Sequence, residues 1–279
     1  MRLYASVIKL IARQPAFIPL SGGGQYAHAA FFNILDQVDP RLAAAVHEFA
    51  GKGRRKPFTL SPLMGLPRTA ADGQGYYLPA GWACWLRVTL LDEVLFESFI
   101  EYFLASPPAC AIRLGDAHFL VSEILTAPGS HEWAGSITLD DLRQRLDAPP
   151  PDAIALELCT PTSFKLGSYV EALPLPKLVF GSLATAWANL TGENLTPAVE
   201  RFAQENMHLE VHHLKRHGPT LNNHPQIGAT GRVVYRFVTG ADSPLARAIN
   251  ALADLAFYAG VGRKTTHGMG MARRVSDIA

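Results

Sequence analysis

Three consecutive prolines, Pro149, Pro150 and Pro151, divide this chain of 279 residues into two stretches with the same order of strand-like and helix-like segments. A proline run lacks the N–H groups a sheet or helix needs and favours extended backbone, so Asp147–Asp152 reads as a linker. Before it, Arg2–Leu10 is a breaker-free run of apolar and β-branched residues, the mark of a strand. Phe31, Ile34, Leu35 and Val38 recur at helical spacing. Asp39-Pro40 then restarts a helix, with Asp39 as N-cap, Pro40 at the first position, a stripe of Leu42, Val46 and Phe49, and Gly51 to close it. Trp82–Leu90 predicts a strand, Asp92–Ser106 a helix with Leu95, Phe99 and Phe103 on one side, and Ala117–Leu125 a further strand. With one of the short segments near Phe58 or Trp82 pairing, this half reads β-α-β-β-α-β.

The pattern repeats after the prolines. Ile154–Thr160 alternates as a strand. Val179, Leu183, Trp187 and Leu190 mark a helix, Met207–His212 and Gly231–Val238 two strands, and Ser243-Pro244 caps a helix that buries Leu245, Ile249, Leu252 and Ala256. Met269–Val275 closes the chain as a strand. The expectation is an α+β protein of tandem ferredoxin-like (RRM-like) domains with antiparallel sheets, the first over residues 1–146 and the second over 153–279. Sheets of this kind often carry single-stranded RNA, although fold alone does not assign function.

With 48% hydrophobic and 18% charged residues, the chain has the material for a packed core. No apolar run reaches the ~20 residues that span a bilayer, and Lys9 and Arg13 interrupt the N-terminal apolar stretch, which argues against a signal peptide and for the cytoplasm. Cys84, Cys110 and Cys159 are isolated from one another, so they predict buried thiols rather than a disulfide framework or a metal pair.

The net charge is only +1, but its distribution is uneven. Ala229–Ala279 holds seven Lys/Arg against three Asp/Glu, and Lys52, Arg54, Arg55 and Lys56 form a second basic cluster. The segment Gly260-Val261-Gly262-Arg263-Lys264-Thr265-Thr266-His267-Gly268-Met269-Gly270 concentrates glycine, cation and hydroxyl. No Gly-Lys-Ser/Thr closes it and its glycine spacing is not that of a dinucleotide fingerprint, so a nucleotide-dependent enzyme is disfavoured. Only a short strand follows it, whereas both of those loops need a helix N-terminus. Its chemistry suits a polyanion: glycines admit phosphate to the backbone, and Arg263, Lys264, Thr265 and Thr266 supply charge and donors.

His208, His212, His213, His217 and His224 crowd together, but His208-x-Glu210-x-His212 alternates as a strand and is not the helical zinc motif. A strand face that presents His208 and His212 to RNA is the better reading, with Arg232 on the next strand and Lys165 as further contacts. No metal or other cofactor is expected.

The C-terminal G-x-G-x-K-T-x-x-G-x-G, between a helix and a strand, resembles the signature of the CRISPR-associated precursor-RNA-processing endoribonucleases of the RAMP superfamily. Phe31-Phe32-Asn33-Ile34-Leu35, Asp39-Pro40, Val46-His47-Glu48 and Lys56-Pro57-Phe58-Thr59 follow the order of that family. His131-Glu132-Trp133-Ala134-Gly135 and Thr160-Pro161-Thr162-Ser163-Phe164 are weaker matches. The resemblance spans essentially the whole chain. It implies metal-independent cleavage of CRISPR repeat RNA by 2′-OH attack, leaving 2′,3′-cyclic phosphate and 5′-OH ends.

The resemblance makes His47 the first catalytic candidate and Lys56 the group that steadies phosphate charge. Helical geometry agrees for His47, which lies roughly 130° from the Leu42/Val46/Phe49 stripe. Several relatives carry a tyrosine in the first helix where this chain has Phe32 and Asn33, and phenylalanine cannot move a proton. Tyr26 and His28 are the auxiliary candidates. Arg54, Arg55, Gly262, Gly268 and Gly270 join the RNA-binding set. The implied partners are a single-stranded or hairpin repeat RNA and a CRISPR effector complex. A homodimer is compatible with the sequence, a membrane is not, and a non-catalytic RNA-binding RAMP subunit is the alternative.

Overall fold

The computed structural model describes residues 1–20, 23–49, 55–67, 74–105, 111–218, 220–221, 224–238 and 242–276. It divides into two compact units. The first takes in Met1–Ser136, Pro219–Pro225 and Thr266–Gly268; the second takes in Ile137–Gly218, Gln226–Thr265 and Met269–Ala279.

The first unit runs β1 (Arg2–Ala12), β2 (Ala16–Pro19), α1 (Gly23–Val38), α2 (Pro40–Glu48), β3 (Phe58–Leu60), β4 (Gly75–Leu78), β5 (Ala83–Leu90), α3 (Glu93–Ala105), β6 (Ala111–Leu114) and β7 (Ala117–Leu125). Its sheet order is β3-β5-β1-β7-β6, all antiparallel, so β1 is paired on both edges. This is the ferredoxin-like arrangement with a hairpin strand, β6, added at one edge and a separate β2–β4 ribbon. Ile8, Leu10, Phe31, Leu35, Phe58, Leu86, Val88, Phe99 and Phe119 fill the space between sheet and helices. The buried Thr59 and Thr89 hydroxyls satisfy each other at 2.6 Å, so the β3–β5 pair carries no polar cost into that core.

The division falls within β8 (Gly135–Thr138), and α4 (Leu139–Gln144) belongs to the second unit. The second unit continues with β9 (Ala153–Thr162), the ribbon β10 (Phe164–Leu166) and β11 (Tyr169–Glu171), α5 (Pro176–Thr191), α6 (Thr196–Asn206) and β12 (Met207–His217). The short β13 (Thr220–Leu221) and β14 (His224–Pro225) pair with each other and count with the first unit. β15 (Gly228–Phe237), α7 (Pro244–Ala259), a 3₁₀ turn at Thr265–His267 and β16 (Ala272–Val275) complete the chain. The four-stranded sheet has the order β12-β15-β9-β16, again with the unit's first strand in the interior.

The expected elements are present, with shifted ends. α1 begins at Gly23, well before its apolar stripe, and β9 extends past Thr160 through Thr162. The last strand opens at Ala272, because Met269–Met271 serve in loop hydrogen bonds. Asp39 caps α2 through bonds to the Arg41 and Leu42 amides at 2.9 and 3.0 Å, worth about 1 kcal/mol. The α2 stripe differs from expectation: Ala43 and Val46 are buried, Leu42 is half-buried and Phe49, the C-cap, is exposed. The helix ends at Glu48, so Phe49 falls past its last turn, and Gly51 lies outside the described residues. Cys84 is buried but Cys159 only half-buried, and Cys110 lies outside the described residues. Among the described residues no helix is long and apolar enough to cross a membrane.

Candidate active site

α1 and α2 meet at Asp39-Pro40, and the chain then returns to the sheet as β3. This path brings one side chain from each segment around a single ring. Phe32, half-buried on α1, has the His28 ring 4.9 Å away, the His47 ring 5.3 Å away, and Lys56 Nζ 5.1 Å above its centroid. Phe31 and Phe58 hold Phe32 from the core side at 5.6 and 5.8 Å, both edge-to-face. Lys56 Nζ donates to the His47 carbonyl at 3.0 Å, which ties the segment before β3 to the end of α2. His47 is exposed, as its helical angle predicts.

His28 and Phe32 are one helical turn apart and share a face. Tyr26 is two residues before His28, a rotation of about 200°, and points the other way. Its ring lies against Gly115 in the β6–β7 turn, where even a Cβ would come within 2.8 Å of it. Of the two auxiliary candidates, His28 is in the cluster and Tyr26 is not.

His28 also meets the C-terminal turn, which counts with the first unit. Its Nδ1 lies 2.9 Å from the Thr266 carbonyl oxygen, and its ring stacks on His267 with centroids 4.1 Å apart and planes 19° from parallel. Burial holds the His28 pKa below its ordinary value; the bond to Thr266 opposes this, and the Lys56 and His47 charges reinforce it. Burial likewise lowers the Lys56 pKa. The cluster therefore combines a partly buried imidazole with a lowered pKa, an exposed imidazole and a cation held between ring and backbone. Side chains of these types are able to exchange protons and to meet negative charge.

The glycine-rich loop behaves differently from its sequence expectation. Gly262 N–H donates to Ser182 Oγ at 2.8 Å, Arg263 N–H to the Ser163 carbonyl at 2.9 Å, and Gly270 N–H to the Pro161 carbonyl at 3.0 Å. Val261 N–H donates to the Gly270 carbonyl at 2.8 Å. These amides are engaged within the second unit rather than presented to a phosphate. Gly262, at φ +80, is required because a Cβ there would strike the Ser163 carbonyl. What the loop leaves for a polyanion is the side chains of Arg263, Lys264 and Thr265, all half-buried, whereas the Thr266 hydroxyl shares a 2.9 Å hydrogen bond with His267 Nδ1. Burial and the neighbouring Arg263 lower the Lys264 pKa.

The remaining candidates are dispersed. Lys165 is exposed on β10 and Arg55 is half-buried just before Lys56, while Arg54 lies outside the described residues. Arg232 is half-buried inside β15 rather than at its start, with two guanidinium nitrogens out of solvent. His208 is exposed and pairs with Arg236, whereas His212 pairs with Val233 across a register shift between Leu209 and Val211. Among the described residues, no group of three or more His, Cys, Asp or Glu is placed to hold a metal. Sequence reasoning missed His267, whose signal was present: an imidazole inside the most distinctive motif of the chain.

Two ferredoxin-like units, with two histidines and a lysine gathered on the first and a glycine-rich loop clasped into the second, are the architecture that the family models address. The family model for the Cas6 N-terminal domain matches residues 3–144, and that for CRISPR-associated endoribonuclease Cas6 matches residues 156–272. The chain belongs to the Cas6 family of CRISPR-associated endoribonucleases. The "Cas6 (TTHB231) product complex" superposes with a TM-score of 0.80 at 29% identity, covering 98% of this chain and 99% of that one. A second structure, "Thermus thermophilus Cas6 (TTHB231)", gives 0.72 at 28%, covering 98% of each chain. The "Cas6 (TTHA0078) product complex" gives 0.75 at 26%, covering 99% of this chain and 100% of that one. No curated protein sequence matches the chain.

Proposed function

We propose that this chain binds CRISPR repeat RNA and cuts it without a metal, by attack of the 2′-OH on the adjacent phosphate. The attacking hydroxyl loses its proton, its oxygen bonds to phosphorus, and the bond to the 5′-oxygen of the next nucleotide breaks. That oxygen takes a proton, so the products are a 2′,3′-cyclic phosphate and a 5′-OH. The observation that carries this reading is the meeting of His28, His47 and Lys56 around Phe32. The product complexes of the two related Cas6 proteins support the same substrate class.

In this reading His28 is the general base, because an imidazole with a lowered pKa is neutral at physiological pH and free to accept a proton. His47, exposed beside it, is the general acid at the leaving oxygen. Lys56 steadies the phosphorane. The proton-transferring role that several relatives give to a tyrosine passes here to an imidazole one turn earlier on the same helix, and Phe32 supplies only the surface on which the three groups are arranged.

The test is cleavage of a repeat RNA from the neighbouring array in EDTA. Wild type is expected to cut at one place and leave a cyclic phosphate. His47→Ala and His28→Ala are expected to bind the RNA and leave it intact. Wild-type protein that binds without cutting would move the chain to the RNA-holding alternative.

A further inference from the structure

A carbonyl oxygen only accepts, so the 2.9 Å contact between His28 Nδ1 and the Thr266 carbonyl requires the proton on Nδ1. In the neutral ring the acceptor lone pair is then on Nε2. The stack of His267 on His28 fixes the plane of the ring, and His267 is itself held, its Nδ1 sharing a 2.9 Å hydrogen bond with Thr266 Oγ1. The turn that carries both residues is seated on the first turn of α1. Gly24 is buried there, and a Cβ at that position would run into the His267 carbonyl. From the other side, a Cβ on Gly268 would lie 3.0 Å from the Pro62 amide nitrogen and 3.1 Å from Gly24 Cα. The two glycines are thus the condition for contact between the turn and the helix that bears His28.

The geometry points to Thr266 and His267 as positioning residues that select the tautomer and ring plane of His28, rather than as contacts to RNA. This rests on the reading of His28 as the base. It gives the G-x-G-x-K-T-x-x-G-x-G pattern a second duty: beside the Lys264 and Thr265 side chains expected to meet RNA, its T-H-G half sets the ring of His28. The charged and titratable groups facing His28 are Lys56, His47 and His267, and its other neighbours, Phe32 and Phe58, are apolar.

The experiment is ¹⁵N imidazole NMR on RNA-free, full-length protein, with the His28 resonances assigned by their loss in His28→Gln. Wild type is expected to show Nδ1 protonated and Nε2 bare. His267→Ala and Gly24→Ala should give averaged tautomers and a His28 titration nearer its ordinary value. In single-turnover cleavage they should lose about 10- to 100-fold in rate at unchanged RNA affinity, the scale of a misplaced catalytic group. His267→Phe, which keeps a ring over His28, should recover most of that loss. If Gly24→Ala fails to fold, the half-buried His267 still carries the test. A wild-type ring protonated on Nε2, or a His28 tautomer unchanged in folded His267→Ala, overturns the proposal. So does weakened RNA binding with the tautomer intact, which would make His267 an RNA contact. The NMR result stands without any cleavage, so a wild type that cuts nothing would sink the functional reading alone.

Discussion

α1 and α5 occupy the same topological place, each following the central strand of its unit, yet they are used in opposite ways. α5 buries Val179, Phe180, Leu183, Ala184, Ala186 and Trp187 around much of its circumference, because α6 packs along it. Gly181 accommodates the Glu200 side chain, and Lys177 reaches Gln204 at 2.9 Å across that helix pair. α1 buries a narrower stripe of Ala27, Ala30, Phe31, Ile34 and Leu35 and leaves His28 and Phe32 half-exposed. In the first unit the following helix, α2, is short and carries His47 in its last turn, so it supplies an imidazole where α6 supplies a cover. The same fold leaves an open surface or a sealed one according to what its second helix does.

The comparison predicts a separation of rate from stability. His47→Ala should reduce single-turnover cleavage by about 10²–10⁴-fold, the usual contribution of general acid–base catalysis, with little change in RNA Kd or melting temperature. Equal rates for mutant and wild type would dissolve the contrast between the units. Trp187→Ala should do the reverse. It removes a ring only 1% exposed and costs about 3–5 kcal/mol in denaturant titrations, while each folded molecule cuts at the wild-type rate. Lys56→Ala should slow cleavage by about 10²–10³-fold and weaken binding less, as expected for a group that meets charge formed in the transition state. The opposite split would reassign Lys56 to substrate positioning.

A smaller effect follows from His28. Its folded pKa lies below its ordinary value of 6.5, so as pH falls the unfolded chain takes up that proton first. The contribution of the neutral ring to stability is therefore complete above 6.5 and is lost as pH falls through the lower, folded pKa. Denaturant midpoints measured from pH 7 to pH 5 should fall more steeply for wild type than for His28→Asn, which can still donate to the Thr266 carbonyl. Parallel curves would show that His28 ionises as freely in the fold as outside it.

Much of this architecture was legible because it rests on local signals. Apolar periodicity marked the helices, Asp39-Pro40 and Ser243-Pro244 marked two starts, and the angular position of His47 on α2 foretold its exposure. What was not legible depends on contacts between distant segments. Nothing at residues 24–32 announces that Thr266–Gly268 will seat there, so His28 could not be chosen over Tyr26 and His267 was passed over. The register shift in β12 between Leu209 and Val211 is likewise encoded by no alternation pattern. The glycines at 262 and 270 read as room for phosphate, but their amides are engaged by Ser182 and Pro161, more than 75 residues away in sequence.

The least effect, and the one that best tests the loop, concerns Lys264. It is the one non-glycine among the described residues with positive φ, at 57°, a conformation that costs an L-residue roughly 1–2 kcal/mol. Lys264→Gly should therefore stabilise the fold, whereas Lys264→Ala keeps the strain and should not. If the side chain pairs with an RNA phosphate, both variants should lower the slope of log K against log salt by the same amount, about 0.7 for one contact on a single strand. A few-fold loss of affinity at low salt should accompany that change and fade as salt rises. A lower slope in both variants with stabilisation only in Lys264→Gly would mean that the loop holds a strained lysine for its charge. An unchanged slope would leave the second unit's loop as a structural clasp, and the RNA-binding charge would have to be sought at Arg263, Lys165 and Arg55.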